Sequence, residues 1–399
     1  MLLIKHRGVY AETPRCFDAN TAVFESIHRG VFSMGVLTCS PGTESYSLYG
    51  HTALRYCNPQ TGEDLVFNYG LFDFSSPHFV WRFMLGQTDY MVGVQSTACF
   101  LEGYARQGRS VTEQVLNLTP PESERLLQFL LWNIRPENRT YRYNYLTNNC
   151  ATCVLDAVKA AADGTVQYPG RVSNRTYRGE LHRFTREHPW AQLGNDLLLG
   201  ADCDTLLSPQ AVPFLPYTMA EFLDSATVLM PDGQRSKLVG ETRVLVPLGA
   251  VEQTDGGFPV RPAAVAWLFV LLCLCLAAWE WRRGSVIWSV DAFIFFFQGL
   301  AGCLVLFMLC FSEHPTVDSN RQVLLLNPLP LLCLPWVINR ARKRRKCLYH
   351  PLNVIYLLFF LIFSLLTRQQ FAEIIIPLSL GIAVRSASHW INTNRKYAA

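Results

Sequence analysis

The sequence predicts an α+β domain followed by an all-α membrane domain of several spans. Up to about residue 260, short β-branched and aromatic runs alternate with clusters of Gly, Pro, Asn and Asp, and capped amphipathic helices interrupt them. From about residue 262 to 391, apolar runs dominate. The average over 399 residues, 50% hydrophobic and 17% charged, conceals that split. The expected division is an unpatterned N-terminal segment over 1–35, a folded extracytoplasmic domain over 36–260 and a transmembrane domain of about five helices over 261–399.

The first strand is the apolar run Val36–Cys39, followed by the turn residues Ser40-Pro41-Gly42. Thr52–Tyr56 reads as a second strand and Leu65–Gly70 as a third, joined by the turn-rich Asn58–Asp64. Folding this hairpin about Gln60 returns His51 to the level of residues 68 to 70, so Asn68 becomes its neighbour. Phe79–Leu85, after Pro77, is a bulky apolar helix. It either joins the core or forms a lid or membrane-contacting helix beside a site. Gln87–Gly93 leads into another strand. Thr119-Pro120-Pro121-Glu122 opens a helix as a capping box, with Leu126, Leu127, Leu130 and Leu131 as its buried face. Tyr141–Leu146 alternates as a strand, Thr147-Asn148-Asn149 turns the chain, and Cys150–Ala162 is helical. Past Thr165 the chain is polar and Pro-rich, with an apolar run at Leu197–Leu199.

Five apolar segments follow: Ala263–Trp281, Val286–Phe311, Val323–Ile338 with three prolines, Leu348–Leu366, and one from Phe371 weakened by Arg385 and His389. Arg282 and Arg283, the cluster Arg340 to Lys346, and Arg395 with Lys396 fall on one side if all five cross. The positive-inside rule then puts the large N-terminal domain outside the cytoplasm. Leu2-Leu3-Ile4 is too short for a signal sequence, so the true start is expected upstream or the export segment is atypical. The net charge of +4 is small and its cations border the spans, which argues against nucleic acid as a partner.

Cys150 stands at the start of a helix behind Asn149. There orphan backbone N–H groups and the helix dipole are expected to lower the thiol pKa, and a nearby imidazole to lower it further. His51 is the candidate base, Asn68 the group that fixes its tautomer, and the Cys150 N–H part of an oxyanion hole. A buried structural cysteine is the competing reading of Cys150. Among 13 cysteines none shows zinc-ligand spacing, so no metal and no cofactor is expected. Cys150 and Cys153 have redox-pair spacing, but no thioredoxin-like strand precedes them, and Cys153 is expected to pack on the helix's inner face.

Histidine on a strand, a polar residue on the next strand and cysteine at a later helix start is the order of circularly permuted papain-like enzymes of the NlpC type. Leu37-Thr38-Cys39-Ser40-Pro41-Gly42, Gly50-His51-Thr52-Ala53, Phe67-Asn68-Tyr69-Gly70, Gly86-Gln87-Thr88-Asp89-Tyr90 and Asn148-Asn149-Cys150-Ala151-Thr152 resemble the Lnb family, as do His314-Pro315 and Asn327-Pro328-Leu329. Those proteins are lipoprotein N-acyltransferases of Bacteroides-type bacteria. The resemblance implies a multi-pass protein of the inner membrane with a periplasmic, papain-like catalytic domain. It implies an acyl chain moved from a phospholipid, through a Cys150 thioester, to the α-amino group of a diacylated lipoprotein. Cys150, His51 and Asn68 would be catalytic. Asn149, Tyr69 and His314 would meet substrate, His314 at a lipid head group. Two other readings use the same chain: a cell-wall cysteine peptidase or amidase, and a non-catalytic membrane assembly protein.

Overall fold

The computed structural model describes residues 31–72, 77–168, 174–249 and 259–398. The unpatterned segment expected over 1–35 lies outside these residues up to residue 30. The strands are β1 (Ser33–Cys39), β2 (His51–Asn58), β3 (Glu63–Leu71), β4 (Asp89–Ser96), β5 (Val111–Leu116), β6 (Thr140–Arg142), β7 (Thr165–Gln167), β8 (Thr227–Leu229), β9 (Arg235–Lys237) and β10 (Val239–Val246). The helices are α1 (Phe79–Met84), α2 (Thr97–Arg106), α3 (Pro120–Asn133), α4 (Cys150–Ala161), α5 (Tyr177–Thr185), α6 (Pro189–Leu198), α7 (Pro216–Ser225), α8 (Pro262–Arg283), α9 (Trp288–Phe311), α10 (Leu329–Arg342), α11 (Tyr349–Leu366) and α12 (Ile375–Ala398).

The chain is mixed α+β and forms two compact units. One contains the residues up to Arg175 with Leu207–Thr254; the other contains Thr176–Leu206 with the residues from Asp255 onward. Residues 176–206 thus group with the helices from Pro262 onward.

In the first unit an antiparallel sheet runs β10-β5-β1-β2-β3-β4-β6. Its central strands are apolar on both faces because both are covered. Met34, Val36, Leu54, Tyr56, Phe67 and Tyr69 face α3 and α4, whose Leu126, Leu130, Val154 and Val158 complete that core. Leu37, Ala53 and Val66 face α2, through Phe100 and Tyr104. The α3 capping box forms as expected, with Thr119 accepting from the Glu122 N–H and Glu122 reaching back to the Thr119 N–H.

One local expectation changes, one strand is added, and one open choice narrows. β6 ends at Arg142, because the Asn144 side chain accepts the N–H groups of Leu146 and Thr147 (3.0 and 3.1 Å) and turns the chain before a longer strand can form. Beyond Thr165, β10 returns to pair with β5 and extends the sheet, a strand not identified from the sequence. Helix α1 is not a core helix: Val80, Trp81 and Phe83 are 66, 54 and 45% exposed.

Among the described residues of the second unit four helical segments are long and apolar enough to cross a membrane: Pro262–Arg283, Trp288–Phe311, Arg321–Arg342 (a 3-10 turn at Arg321–Leu324 followed by α10) and Tyr349–Leu366. The fifth apolar segment forms α12, and its ionisable groups turn inward. Arg385 donates from Nη1 and Nη2 to Glu280 of α8 (2.9 Å each) and from Nε to Asp291 of α9 (2.8 Å), and His389 Nδ1 meets the other Asp291 oxygen at 2.7 Å. Near the start of α12 the Glu373 carboxylate accepts the Ala263 N–H, and near its end Arg395 lies over the Trp281 ring at 3.8 Å. The helix thus runs parallel to α8 over the same thickness. The segment 176–206 is held to the loops of this unit by polar contacts: Asn320 to the Leu197 carbonyl, Gln322 to the Asp196 carbonyl, and the Gln370 N–H to Asp204. Buried Arg178 ties Asp196 to Asp204 beneath them.

Candidate active site

The site is built where β2, β3 and the first turn of α4 converge in the first unit. Asn149 caps α4 in extended conformation, its Oδ1 accepting the N–H groups of Ala151 and Thr152 at 2.8 and 3.1 Å. Thr152 returns the favour by accepting the Asn149 N–H at 2.8 Å. The Asn149 Nδ2 hydrogens go to the carbonyls of Tyr145 (2.9 Å) and Phe214 (3.0 Å). The side chain is 3% exposed and has every polar atom engaged. Asn149 therefore holds the thiol-bearing turn in place, and nothing of it is left to meet substrate.

His51 opens β2 because Gly50 permits it. Gly50 has φ +79°, and a Cβ there would stand 2.6 Å from the Cys39 carbonyl oxygen. The pairs Cys39↔His51 and Leu54↔Phe67 set the register, and His51 Nε2 donates to Asn68 Oδ1 at 2.6 Å. The hairpin folded from the sequence brings these two together as expected. With Nε2 carrying the proton toward a carboxamide oxygen, Nδ1 is the nitrogen with a free lone pair.

Gly70 joins histidine to cysteine. The register between β3 and β4 slips between Asn68 and Leu71, and Gly70 sits in that irregularity at φ +92°. A Cβ on it would lie 3.9 Å from both His51 Cε1 and Cys150 Cβ, so these two atoms are at most twice that distance apart. The backbone N–H of Thr52, next to His51, also acts on the Cys150 sulfur, with those of Ala151 and Cys150 itself.

The electrostatics depart from the expected thiolate. Burial pushes the Cys150 thiol up to about 11; the three N–H groups pull it down but do not overcome the loss of solvent. Burial likewise takes His51 down to about 4, with the Asn68 hydrogen bond opposing and the Arg109 charge assisting. Both groups are neutral at rest. Arg109 gave no signal in the sequence: it is buried, donates Nε to the Ser40 carbonyl at 2.7 Å and lies over the Tyr104 ring at 4.7 Å.

The other assigned residues lie elsewhere. Tyr69 points to the opposite face of β3, packed in the core with its hydroxyl donating to Asn133 Oδ1 at 2.7 Å, so it is a core residue and not a substrate contact. His314 belongs to the second unit, in the loop after α9. Cys153 is half-buried, packs against the core and donates to Asn148 Oδ1 at 3.2 Å; it and Cys150 are both free thiols. Among the described residues no group of three or more His, Cys, Asp or Glu is placed to hold a metal ion.

Two family models match the chain. The Lnb N-terminal periplasmic domain covers residues 31–179, and the Lnb transmembrane domain covers residues 252–397. Between them they account for about three-quarters of the sequence. No curated protein and no solved structure matches it.

Proposed function

The chain belongs to the Lnb family and is a membrane-associated enzyme with a periplasmic domain, and on that premise we propose that it is a cysteine-dependent lipoprotein N-acyltransferase of the bacterial inner membrane. The observation that carries this reading is the convergence of Asn68, His51 and Cys150 in the periplasmic unit of a chain that also supplies its own membrane spans.

In the first half-reaction the Cys150 sulfur attacks the ester carbonyl of a phospholipid acyl chain while His51 Nδ1 takes the thiol proton. Asn68 accepts the Nε2–H throughout and stabilises the imidazolium that forms. The Cys150 N–H donates to the developing oxyanion. The tetrahedral intermediate collapses, the C–O bond breaks, and His51 returns the proton to the departing lysophospholipid oxygen. The acyl chain is left as a thioester on Cys150. In the second half-reaction the neutral α-amino group of a diacylglyceryl-cysteine attacks the thioester, His51 accepts one amine proton and passes it to the leaving sulfur, and the free thiol is restored. Donor and acceptor both reside in the membrane, so a tethered catalyst meets them at high local concentration without extracting either into water. His314, on a loop between spans, is assigned to a lipid head group.

The test is a trapped intermediate. Full-length enzyme incubated with acyl-labelled phospholipid is expected to carry the label on Cys150, to lose it on adding a diacylated lipopeptide, and to yield the triacylated peptide. Cys150→Ser carries none. Release of labelled fatty acid to water with no gain by the peptide would overturn the acceptor. Altered muropeptides, with unaltered lipoprotein N-termini, in a deletion strain would replace the reading with a cell-wall amidase.

A further inference from the structure

We propose that α1 and an aromatic wall behind it form the surface through which a membrane phospholipid presents its acyl chain to Cys150; this rests on the acyl-transfer reading and names the residues that take the lipid. Helix α1 carries Val80, Trp81 and Phe83 at 66, 54 and 45% exposure, three bulky apolar side chains clustered within one short helix. It has no polar face to balance them apart from Arg82, which pairs with Asp89 at 2.7 Å. Trp, Phe and Arg on one short helix suit a bilayer interface, where rings enter the acyl boundary and the guanidinium stays at the head groups.

The chain enters α1 from β3, the strand that carries Asn68 and Gly70, and leaves it for β4. Three half-buried rings stand in series at this edge of the sheet. Phe72, just past β3, meets Tyr90 of β4 edge-on at 4.9 Å between centroids, and Tyr90 meets Tyr143 at 4.1 Å. Tyr143 is fixed by its N–H to the Thr88 carbonyl at 2.9 Å and precedes the tight loop that presents Cys150. Its phenol is held well above its ordinary range by burial first and then by Cys150. The rings run in series from the segment before Cys150 to the end of β3, and α1 is tied to the same edge by the pair of Arg82 with Asp89, the neighbour of Tyr90. The three ring faces and the exposed Val80, Trp81 and Phe83 offer a hydrocarbon chain contacts that need no hydrogen bond. The occupant is the acyl chain of a phospholipid in the leaflet that faces the periplasmic unit.

The test places a photo-reactive benzoylphenylalanine at Val80 in the full-length protein in its own membrane, with Glu102 on α2 as the exposed control position. Irradiation is expected to give a phospholipid adduct at position 80 and none at 102, both in the wild-type background and in Cys150→Ser. No adduct at 80, or equal adducts at both, overturns the proposal. A second arm uses Trp81→Ser with Phe83→Ser, whose rate of Cys150 acylation from phospholipid vesicles is expected to fall about tenfold or more, with the melting temperature kept because both side chains are exposed. An unchanged rate overturns the proposal. The two readings separate cleanly: a lipid adduct at 80 without any acyl-Cys150 sinks the transferase and spares the surface, whereas acyl-Cys150 without the adduct sinks the surface and spares the transferase.

Discussion

Cys150 has the orphan N–H groups of a helix start around its sulfur, yet its thiol stands near 11 while His51 has fallen to about 4. Both shifts share one cause, since each neutral form is cheaper to bury than its ion. The resting site is thus a thiol and an imidazole, and proton transfer accompanies attack instead of preceding it. The pH profile follows from the sign. His51 is the base in its neutral form, so acylation is expected to hold level through neutral pH and to fall only as pH drops through about 4. Stopped-flow acylation across pH would show it; a limb between 6 and 7 would mean an unshifted histidine. Stability moves earlier: below the ordinary 6.5 the unfolded chain binds a proton that the fold refuses until about 4, so stability drains across that window. Asn68→Ala removes the acceptor that fixes the tautomer, and about a 10- to 100-fold lower acylation rate is expected, with little change in phospholipid KM. The pairing of His51 with Asn68 was legible in the sequence because a hairpin's register is arithmetic on its turn. The neutral state was not, because it depends on walls drawn from Cys39, Arg109 and other residues far along the chain.

At the scale of elements, the site depends on one cap and one irregular glycine. Asn149→Ala frees two helix N–H groups and strands the buried carbonyls of Tyr145 and Phe214. Loss of the cap alone costs about 1–2 kcal/mol, and a melt of the purified protein is expected to show at least that. Asn149→Asp keeps an acceptor for the helix and adds favourable charge at its start, so it should fall between the alanine variant and wild type. Gly70→Ala tests the junction differently. Its Cβ would meet His51 and Cys150 at ordinary contact distance, but φ +92° strains any L side chain there. A loss of acylation larger than the loss of stability is expected, since relief of the strain shifts β3 beneath Asn68. Elements with local causes were readable: the Thr119 box, the β2–β3 hairpin and the helix at Cys150 each carry their signal within a few residues. The pairing of β10 with β5 spans over a hundred residues, and the exposure of α1 depends on what the rest of the chain leaves uncovered; neither has a local signature.

For the molecule as a whole, the decisive cluster is Arg385 with Glu280, Asp291 and His389, all fully or nearly fully buried among α8, α9 and α12. In the sequence Arg385 and His389 weaken the fifth apolar segment; in the fold they are what joins it to the bundle. Arg385→Ala leaves two carboxylates buried together and is expected to cost about 3–5 kcal/mol, read as lower thermal stability in detergent. The same contacts fix a topology. The Glu373 carboxylate meets Ala263 at the first turn of α8, and Arg395 covers Trp281 in its last, so α12 crosses whatever α8 crosses and in the same direction. Its C-terminal end then lies on the face of Arg282 and Arg283, where the cationic loop 340–346 also falls if α9, α10 and α11 each cross once. Three cationic positions on one side is the arrangement the positive-inside rule selects. A C-terminal alkaline phosphatase fusion is therefore expected to be inactive and a fluorescent protein fusion bright. An active phosphatase at the C-terminus would mean that α12 does not cross, and its contacts with Ala263 and Trp281 could not then both hold.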